Sequence, residues 1–292
     1  MSVILITGCS TGIGMQTALD LASQGHQVYA SMRNVESGGA ELREQAGQLS
    51  DSKGSVELCQ MDVCDDRSVR NCVESLLEQE GRIDVLVNNA GIGPMGPIEE
   101  ASDETVTSVF DTNVFGVLRV SRAVLPAMRR QGSGLIINVS SVAGRIGAGG
   151  MGIYSASKFA LEGLSEALAQ EVRPFGIKVA IIEPGFIKTP IQTKVMDSLG
   201  PQDDSAYPHI VERMRALFTM AQQVGGPTDL VSQTISEAIT SPEVQLRYPV
   251  GDGARSFLEG RQRMTDHEWV EMGRHTDLES YFKEFGERFP PA

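Results

Sequence analysis

At 292 residues the chain is long for one domain but within reach of a single large α/β unit, and 41% hydrophobic with 22% charged residues excludes disorder and fibrous structure. Its 25 basic against 38 acidic residues leave a net charge of −13, which argues against nonspecific binding to nucleic acid or an anionic membrane. The longest apolar stretches, such as Ile177 to Ile182, are strand-length and far short of the roughly 20 residues that a membrane span needs.

The chain opens on a strand pattern, Val3 to Ile6, with no basic leader or small-residue cleavage site, so a cytoplasmic protein is expected. A glycine-rich turn follows at once: Thr7-Gly8-Cys9-Ser10-Thr11-Gly12-Ile13-Gly14, with a helix pattern from Gly12 to Ser23 at its end. Glycines permit a tight turn and close backbone approach, and a helix N-terminus offers free N–H groups to a pyrophosphate. The strand before and the helix after supply the context such a motif requires, and set it above a plain structural turn.

The second strand, Gln27 to Ser31, decides between dinucleotides, because a carboxylate at its end would hold the ribose 2′-hydroxyl of NAD. Here Met32 occupies that place and Arg33 follows, a fork suited to the NADP 2′-phosphate, with Ser10 able to add a hydroxyl. NADP is the expected cofactor, and NAD stays open because Glu36 is close by. The pattern continues with a helix at Gly38 to Leu49, a strand at Val56 to Met61, a helix at Asp65 to Glu80 and a strand at Ile83 to Val87 that ends on Asn88-Asn89-Ala90-Gly91. Ser102 to Arg130 reads as one long helix, in which Asn113 is out of place, since asparagine is neutral to unfavourable in helix interiors. A backbone carbonyl or a water is its expected partner.

Gly134 to Val139 is the next strand and ends on Ser140-Ser141, where a hydroxyl can hold a carbonyl oxygen, although a serine pair there is often only a turn or cap. In the helix Tyr154 to Arg173, Tyr154 and Lys158 are four apart and share a face. A tyrosine of ordinary pKa about 10 is a poor base, and a neighbouring ammonium makes it a useful general acid/base. After the strand Ile177 to Ile182, the stretch Thr189 to Gly225 breaks the alternation and reads as a substrate lid; Thr228 to Ile239 is helical, Leu246 to Val250 is a last strand, and 251–292 is a charged, mostly helical extension.

Apolar strands, each read as buried on both faces, alternating with helices give the expected fold: one domain over 1–292, a Rossmann-like doubly wound parallel sheet with helices on both faces, ligands gathering at the strand C-termini. Cys9, Cys59, Cys64 and Cys72 form no C-x-x-C pair and read as buried free thiols. His26, His209, His267 and His275 lack metal-ligand spacing, so no metal is expected.

The turn Thr7 to Gly14, the Asn88 to Gly91 stretch and the set Asn113, Ser141, Tyr154 and Lys158, in this order, resemble the short-chain dehydrogenase/reductase family over essentially the whole chain. The resemblance implies that Tyr154 transfers the alcohol proton, Lys158 lowers its pKa and binds the nicotinamide ribose, Ser141 orients substrate oxygen, and Asn113 helps to hold a relay water. It also implies cofactor contacts from Gly8, Ser10, Thr11, Gly12, Ile13, Gly14, Arg33, the adenine-side pair Asp62-Val63, Asn89, Ala90, Gly91, Tyr154 and Lys158, and from Pro184, Gly185, Ile187 and Thr189 beside the nicotinamide. Thr7-Gly8-Cys9-Ser10, Val28-Tyr29-Ala30, Ser157 to Leu164 and Leu246-Arg247-Tyr248 are most similar to the 17β-hydroxysteroid and retinol dehydrogenase branch. Ile182-Glu183-Pro184-Gly185 departs from that branch towards the general family form.

An NADP(H)-dependent enzyme interconverting a secondary alcohol and ketone is therefore expected, its partner a bulky apolar small molecule such as a hydroxysteroid of the estradiol/estrone type, with retinol or a small carbonyl as alternatives. A dinucleotide-sensing binder without turnover is the alternative of another class. Ser141 and Tyr154 would face the substrate, with Met95, Met151, Phe186 and Met196 as walls; Met214 and Met220 are further wall or core candidates. In the 189–225 stretch, Ile191, Val195, Met196, Leu199, Ile210, Met214, Leu217 and Phe218 favour an apolar substrate. The apolar faces of Ser102 to Arg130 and Tyr154 to Arg173 exceed what one sheet face covers, which points to a homodimer or homotetramer, with a monomer left open.

Overall fold

In this computed structural model the described residues are 1–49, 53–190, 195–196, 199, 204–251 and 253–289. Seven parallel strands form one sheet in the order β3-β2-β1-β4-β5-β6-β7: β1 (Val3–Thr7), β2 (Gln27–Met32), β3 (Ser55–Gln60), β4 (Val85–Asn88), β5 (Gly134–Val139), β6 (Ile177–Pro184) and β7 (Arg247–Val250). The chain winds outward from β1 through β2 to β3, then returns to set β4 on the other side of β1. That reversal opens a crevice at the C-terminal ends of β1 and β4, where a doubly wound sheet takes its ligands.

The apolar runs form strands because helices cover both faces of the sheet. In β1, Ile4 and Ile6 point into one core with Leu21, Val28, Ile137 and Ile235, while Val3 and Leu5 point into the other with Leu76, Val120, Val124 and Met128. The first layer carries α1 (Gly12–Ser23), α2 (Val35–Gly38) and α3 (Ala40–Gly47). α4 (Asp66–Glu80), α5 (Asp103–Phe110), α6 (Gly116–Gln131) and α7 (Gly152–Val172) follow, then α8 (Pro208–Val224) and α9 (Asp229–Thr240). α10 (Ala254–Arg263), α11 (Asp266–Glu271) and α12 (Leu278–Arg288) close the chain around a small core of Met264, Met272, Tyr281 and Phe289. No described helix is long and apolar enough to cross a membrane.

Four expectations change. β3 is an edge strand with Ser55, Glu57 and Gln60 exposed, so it is not buried on both faces. The long helix expected over 102–130 is two helices joined by a five-residue π-helical turn, Asp111–Phe115. The helix expected over 38–49 is the shorter α3, with the separate single turn α2 ahead of it. Cys9 and Cys72 are buried, but Cys59 and Cys64 are only part-buried; all four are free thiols.

Candidate active site

β1 hands the chain to a turn closed against the segment that follows β4. Gly8 has φ +75°, and a Cβ there would lie 2.8 Å from the Ala90 Cα. At Gly14 a Cβ would lie 2.4 Å from Asn89 Nδ2 and 2.5 Å from the Gly8 carbonyl oxygen. Thr7 Oγ1 accepts from the N–H groups of Asn89 and Ala90, both at 3.0 Å, and Asn89 Nδ2 donates to the carbonyls of Thr7 at 2.8 Å and Gly8 at 3.1 Å. Thr11 precedes α1 without a side-chain cap and the first turn holds no acidic residue, which leaves its N–H groups to an anion. A cradle that side chains would fill, backed by an uncapped helix end, fits a dinucleotide pyrophosphate.

Thr189 closes over this turn, since a Cβ on Gly12 would meet it at 3.6 Å. Ile13 packs against the core beside the turn. Ser10 lies under Gly38, whose Cβ would stand 3.3 Å from the Ser10 Cβ and 3.6 Å from Met32 Sδ. Arg33 beside them is exposed and makes no ion pair among the described residues. Further along, Asp62 accepts from Cys64 N–H at 3.0 Å and Val63 is buried against Gly116.

The chemistry-bearing side chains converge on the glycines after β4. A Cβ on Gly91 would stand 3.3 Å from Asn113 Oδ1 and 3.8 Å from Lys158 Nζ, and one on Gly93 would stand 3.2 Å from the Tyr154 ring. Asn113 occupies the π-helical turn, a local unwinding often found at functional sites. Its amide is fully engaged: Nδ2 donates to the Ile92 carbonyl at 2.8 Å and to Ser157 Oγ at 3.0 Å, and Oδ1 accepts from Ile92 N–H at 2.9 Å. The side chain thus clamps the loop after β4 to α7.

Ser141 ends β5 and does two jobs. Its Oγ accepts from Ala143 N–H at 3.1 Å, capping the short turn Val142–Gly144, and donates to the Pro184 carbonyl at 3.4 Å. Burial pushes the Tyr154 phenol above its ordinary pKa, with the Ser141 hydroxyl acting in the opposite direction, so the group sits in its proton-donating form near neutral pH. Lys158, 5% exposed, donates from Nζ to the Val139 carbonyl at 2.8 Å and lies 5.8 Å from the Tyr154 ring centroid. Burial lowers its pKa to about 8, with Glu162 acting in the opposite direction. Together Ser141 and Tyr154 can bind one carbonyl or alcohol oxygen and exchange a proton with it, beside a lysine poised to change charge.

Tyr154 also packs against an apolar cluster of Met95, Val195, Leu199, Val211, Met214 and Phe218, joined by Met151, Met196, Ile210 and Leu217. Phe186 stacks edge-on against Phe257 of the C-terminal extension at 5.5 Å, and the Ile187 side chain enters the core beneath the sheet. Met220 is not a member of this cluster, and Ile191 lies outside the described residues. Pro184 and Gly185 end β6 and hold β7, Gly185 N–H donating to the Val250 carbonyl at 2.9 Å.

Sequence reasoning missed the supports. Ser157 links Asn113 to the Tyr154 carbonyl, donating at 2.7 Å, and a buried ladder runs from Asn88 Nδ2 to Asn138 at 2.8 Å and from Asn138 Nδ2 to Ser165 at 2.8 Å. One turn after Lys158, buried Glu162 pairs with Arg247 at 2.9 Å, and Arg247 lies 3.4 Å from buried Glu183. Only the i, i+4 spacing of Lys158 and Glu162 could have signalled this cluster.

The short chain dehydrogenase model matches residues 2–200. Human 17-beta-hydroxysteroid dehydrogenase type 1 is 40% identical over 85% of this chain and 76% of its own length, and bovine retinol dehydrogenase 8 is 38% identical over 84% and 80%. The 3-ketodihydrosphingosine reductase of Bacteroides thetaiotaomicron is 46% identical over 64% of each chain. Among solved structures, a short-chain dehydrogenase from Streptomyces avermitilis superposes with a TM-score of 0.78 at 33% identity, covering 95% of this chain and 99% of that one. A metagenomic short-chain oxidoreductase in complex with NADP gives 0.65 at 26% identity over 85% and 95%, and an NAD+-bound xylitol dehydrogenase gives 0.72 at 26% over 86% and 97%. With the glycine turn, the seven-stranded parallel sheet and this site in one chain, the protein belongs to the short-chain dehydrogenase family and is an NAD(P)-dependent oxidoreductase.

Proposed function

We propose that this enzyme interconverts a secondary alcohol and a ketone on a bulky apolar molecule, a hydroxysteroid being the first choice, with NADP as its preferred cofactor. The observation that carries the reading is the packing of Tyr154 against this apolar cluster: the phenol that would meet the reacting oxygen is itself packed among methionines and aliphatic side chains. The similarity to 17-beta-hydroxysteroid dehydrogenase type 1 and to retinol dehydrogenase 8 supports an apolar substrate.

In this reading the glycine turn and the N-terminus of α1 hold the pyrophosphate, Arg33 and Ser10 the 2′-phosphate, and Asp62-Val63 the adenine side. When bound, the nicotinamide supplies or accepts the hydride. Tyr154 donates its phenol proton to the ketone oxygen during reduction, or takes the alcohol proton during oxidation. Ser141 fixes that oxygen by a second hydrogen bond, and Lys158, when charged, favours the phenolate and steadies the ribose. Asn113 holds Ile92 and Ser157 in register behind Tyr154 and Lys158, which keeps a relay water within reach of the lysine.

The sheet and C-terminal helices work as one catalytic unit in this account. Phe115 at the start of α6 and Phe159 on α7 are 51% and 47% exposed, which supports pairing of these helices in a homodimer, itself able to double into a homotetramer. Free thiols and a strongly acidic composition support a cytoplasmic location.

The test is reduced-nicotinamide absorbance with NADP+ and NAD+ in parallel, against estradiol, retinol and small secondary alcohols. A higher kcat/KM for estradiol with NADP+ is expected. Turnover of small alcohols alone would remove the bulky-substrate reading, and a retinol preference would move the enzyme to the retinol branch.

A further inference from the structure

Arg213 on α8 is a charged side chain buried to 4% exposure without a carboxylate partner among the described residues. Its guanidinium lies 3.7 Å from the centroid of the Tyr281 ring, over its face, and donates through NH2 to the His275 carbonyl at 2.6 Å, while Nε has no hydrogen-bond partner. Burying a guanidinium with an unsatisfied nitrogen is costly, so the contact is kept for something other than stability. Both groups that receive it, Tyr281 and His275, belong to the C-terminal extension.

The next residue along α8 lies on its apolar side. Met214 packs in the cluster beside Tyr154, and its Cγ would stand 2.6 Å from a Cβ on Gly150, in the turn that leads to Tyr154. Val211 and Phe218 belong to the same cluster. One side of α8 thus packs beside Tyr154 and the other is pinned to the extension. The extension makes two further contacts with the segments around the site: Trp269 Nε1 donates to the Gly147 carbonyl at 3.0 Å, in the loop between Ser141 and Tyr154, and Phe257 meets Phe186 after β6. Its own helices are fastened by aromatic packing of Phe257, Phe285 and Phe289 and by the Thr265–Glu268 capping box.

We propose that Arg213 is a positioning residue for substrate specificity: by anchoring α8 to the C-terminal helical unit through Tyr281 and His275, it sets how closely the apolar cluster of α8 approaches Tyr154, and so decides how bulky an alcohol or ketone is accepted. The inference rests on the reading of this cluster as the substrate-facing wall. The C-terminal unit is then a specificity module for the site, in addition to a cover for the sheet.

Trp269 is the sole tryptophan of the chain, so its emission reports directly on docking of the unit at Gly147. In Arg213→Met, the ratio of kcat/KM for estradiol over that for a small secondary alcohol is expected to fall about tenfold, as displacement of a binding wall by a fraction of an ångström does. Trp269 emission should shift red and become more accessible to acrylamide. Tyr281→Leu should reproduce both effects, whereas Tyr281→Phe, which keeps the ring face, should retain the parent ratio and emission. An Arg213→Met protein with parent specificity ratio and emission would overturn the proposal, as would equal effects of Tyr281→Phe and Tyr281→Leu. Should the parent enzyme turn over no bulky alcohol, the reading of the apolar cluster as the substrate-facing wall fails, and the proposal that Arg213 sets specificity falls with it; an emission shift would then establish an anchor of structure alone. If Arg213→Met does not fold, the two Tyr281 variants decide the matter by the same readouts.

Discussion

Replacing Lys158 by methionine should abolish turnover and yet stabilise the protein near neutral pH. The folded-state pKa of Lys158 is about 8 against an ordinary 10.5, lowered by burial. Between those values the unfolded chain carries a proton that the folded chain has released, so stability rises with pH across that window, and the full penalty of burying the charge is present below about 8. The gap corresponds to about 3 kcal/mol at pH 7. Methionine fills a similar volume without charge, but forfeits the bond to the Val139 carbonyl, a loss of about 1 kcal/mol. The net expectation is a gain of about 2 kcal/mol at pH 7 that shrinks to nothing and reverses as the pH approaches 10.5. Urea unfolding of both proteins without cofactor, at neutral pH and near pH 10, measures the difference. A methionine variant less stable at neutral pH, or a difference that does not change with pH, would refute the reasoning.

Further outcomes follow from the cofactor cradle and its supports. Arg33→Asp should move the NADP/NAD kcat/KM ratio towards NAD by one to two orders of magnitude, roughly what loss of a charge-assisted phosphate contact and gain of a ribose acceptor imply; an unchanged ratio would assign Arg33 to solvent. Gly14→Ala should abolish cofactor binding measured by protein fluorescence titration, because its Cβ would collide with Asn89 Nδ2 and the Gly8 carbonyl. Asn113→Ala leaves the Ile92 N–H and carbonyl without their partner and should lower stability by about 2–4 kcal/mol in denaturant unfolding, along with kcat.

The strands on both sides of β1 were legible because both faces are buried and the Val/Ile/Leu runs are continuous. β3 misled because Val56, Leu58 and Cys59 supply enough apolar character to hide an exposed edge. The break at Asn113 showed only as an asparagine out of place in a helix interior, since a single π-helical turn barely shifts the apolar periodicity of the helices around it. Tyr154 and Lys158 could be paired from their spacing alone, as could the glycine turn from its flanking strand and helix. The Glu162–Arg247 and Arg213–Tyr281 contacts join residues far apart in sequence, and no local pattern announces such partners. The Phe186–Phe257 contact is silent in the sequence for the same reason: only the folded extension brings the two rings together.

The central claim is that Tyr154 exchanges the substrate proton in a family-typical oxidoreductase, and the most direct measurement compares reduced-nicotinamide formation by the parent enzyme and by Tyr154→Phe under saturating NADP+ and alcohol, with cofactor affinity measured alongside. The variant should lose turnover by at least about three orders of magnitude, in the range expected for removal of a general acid/base, while its cofactor Kd stays within a few-fold of the parent value. A variant that binds cofactor normally and still turns over at a comparable rate would contradict that claim.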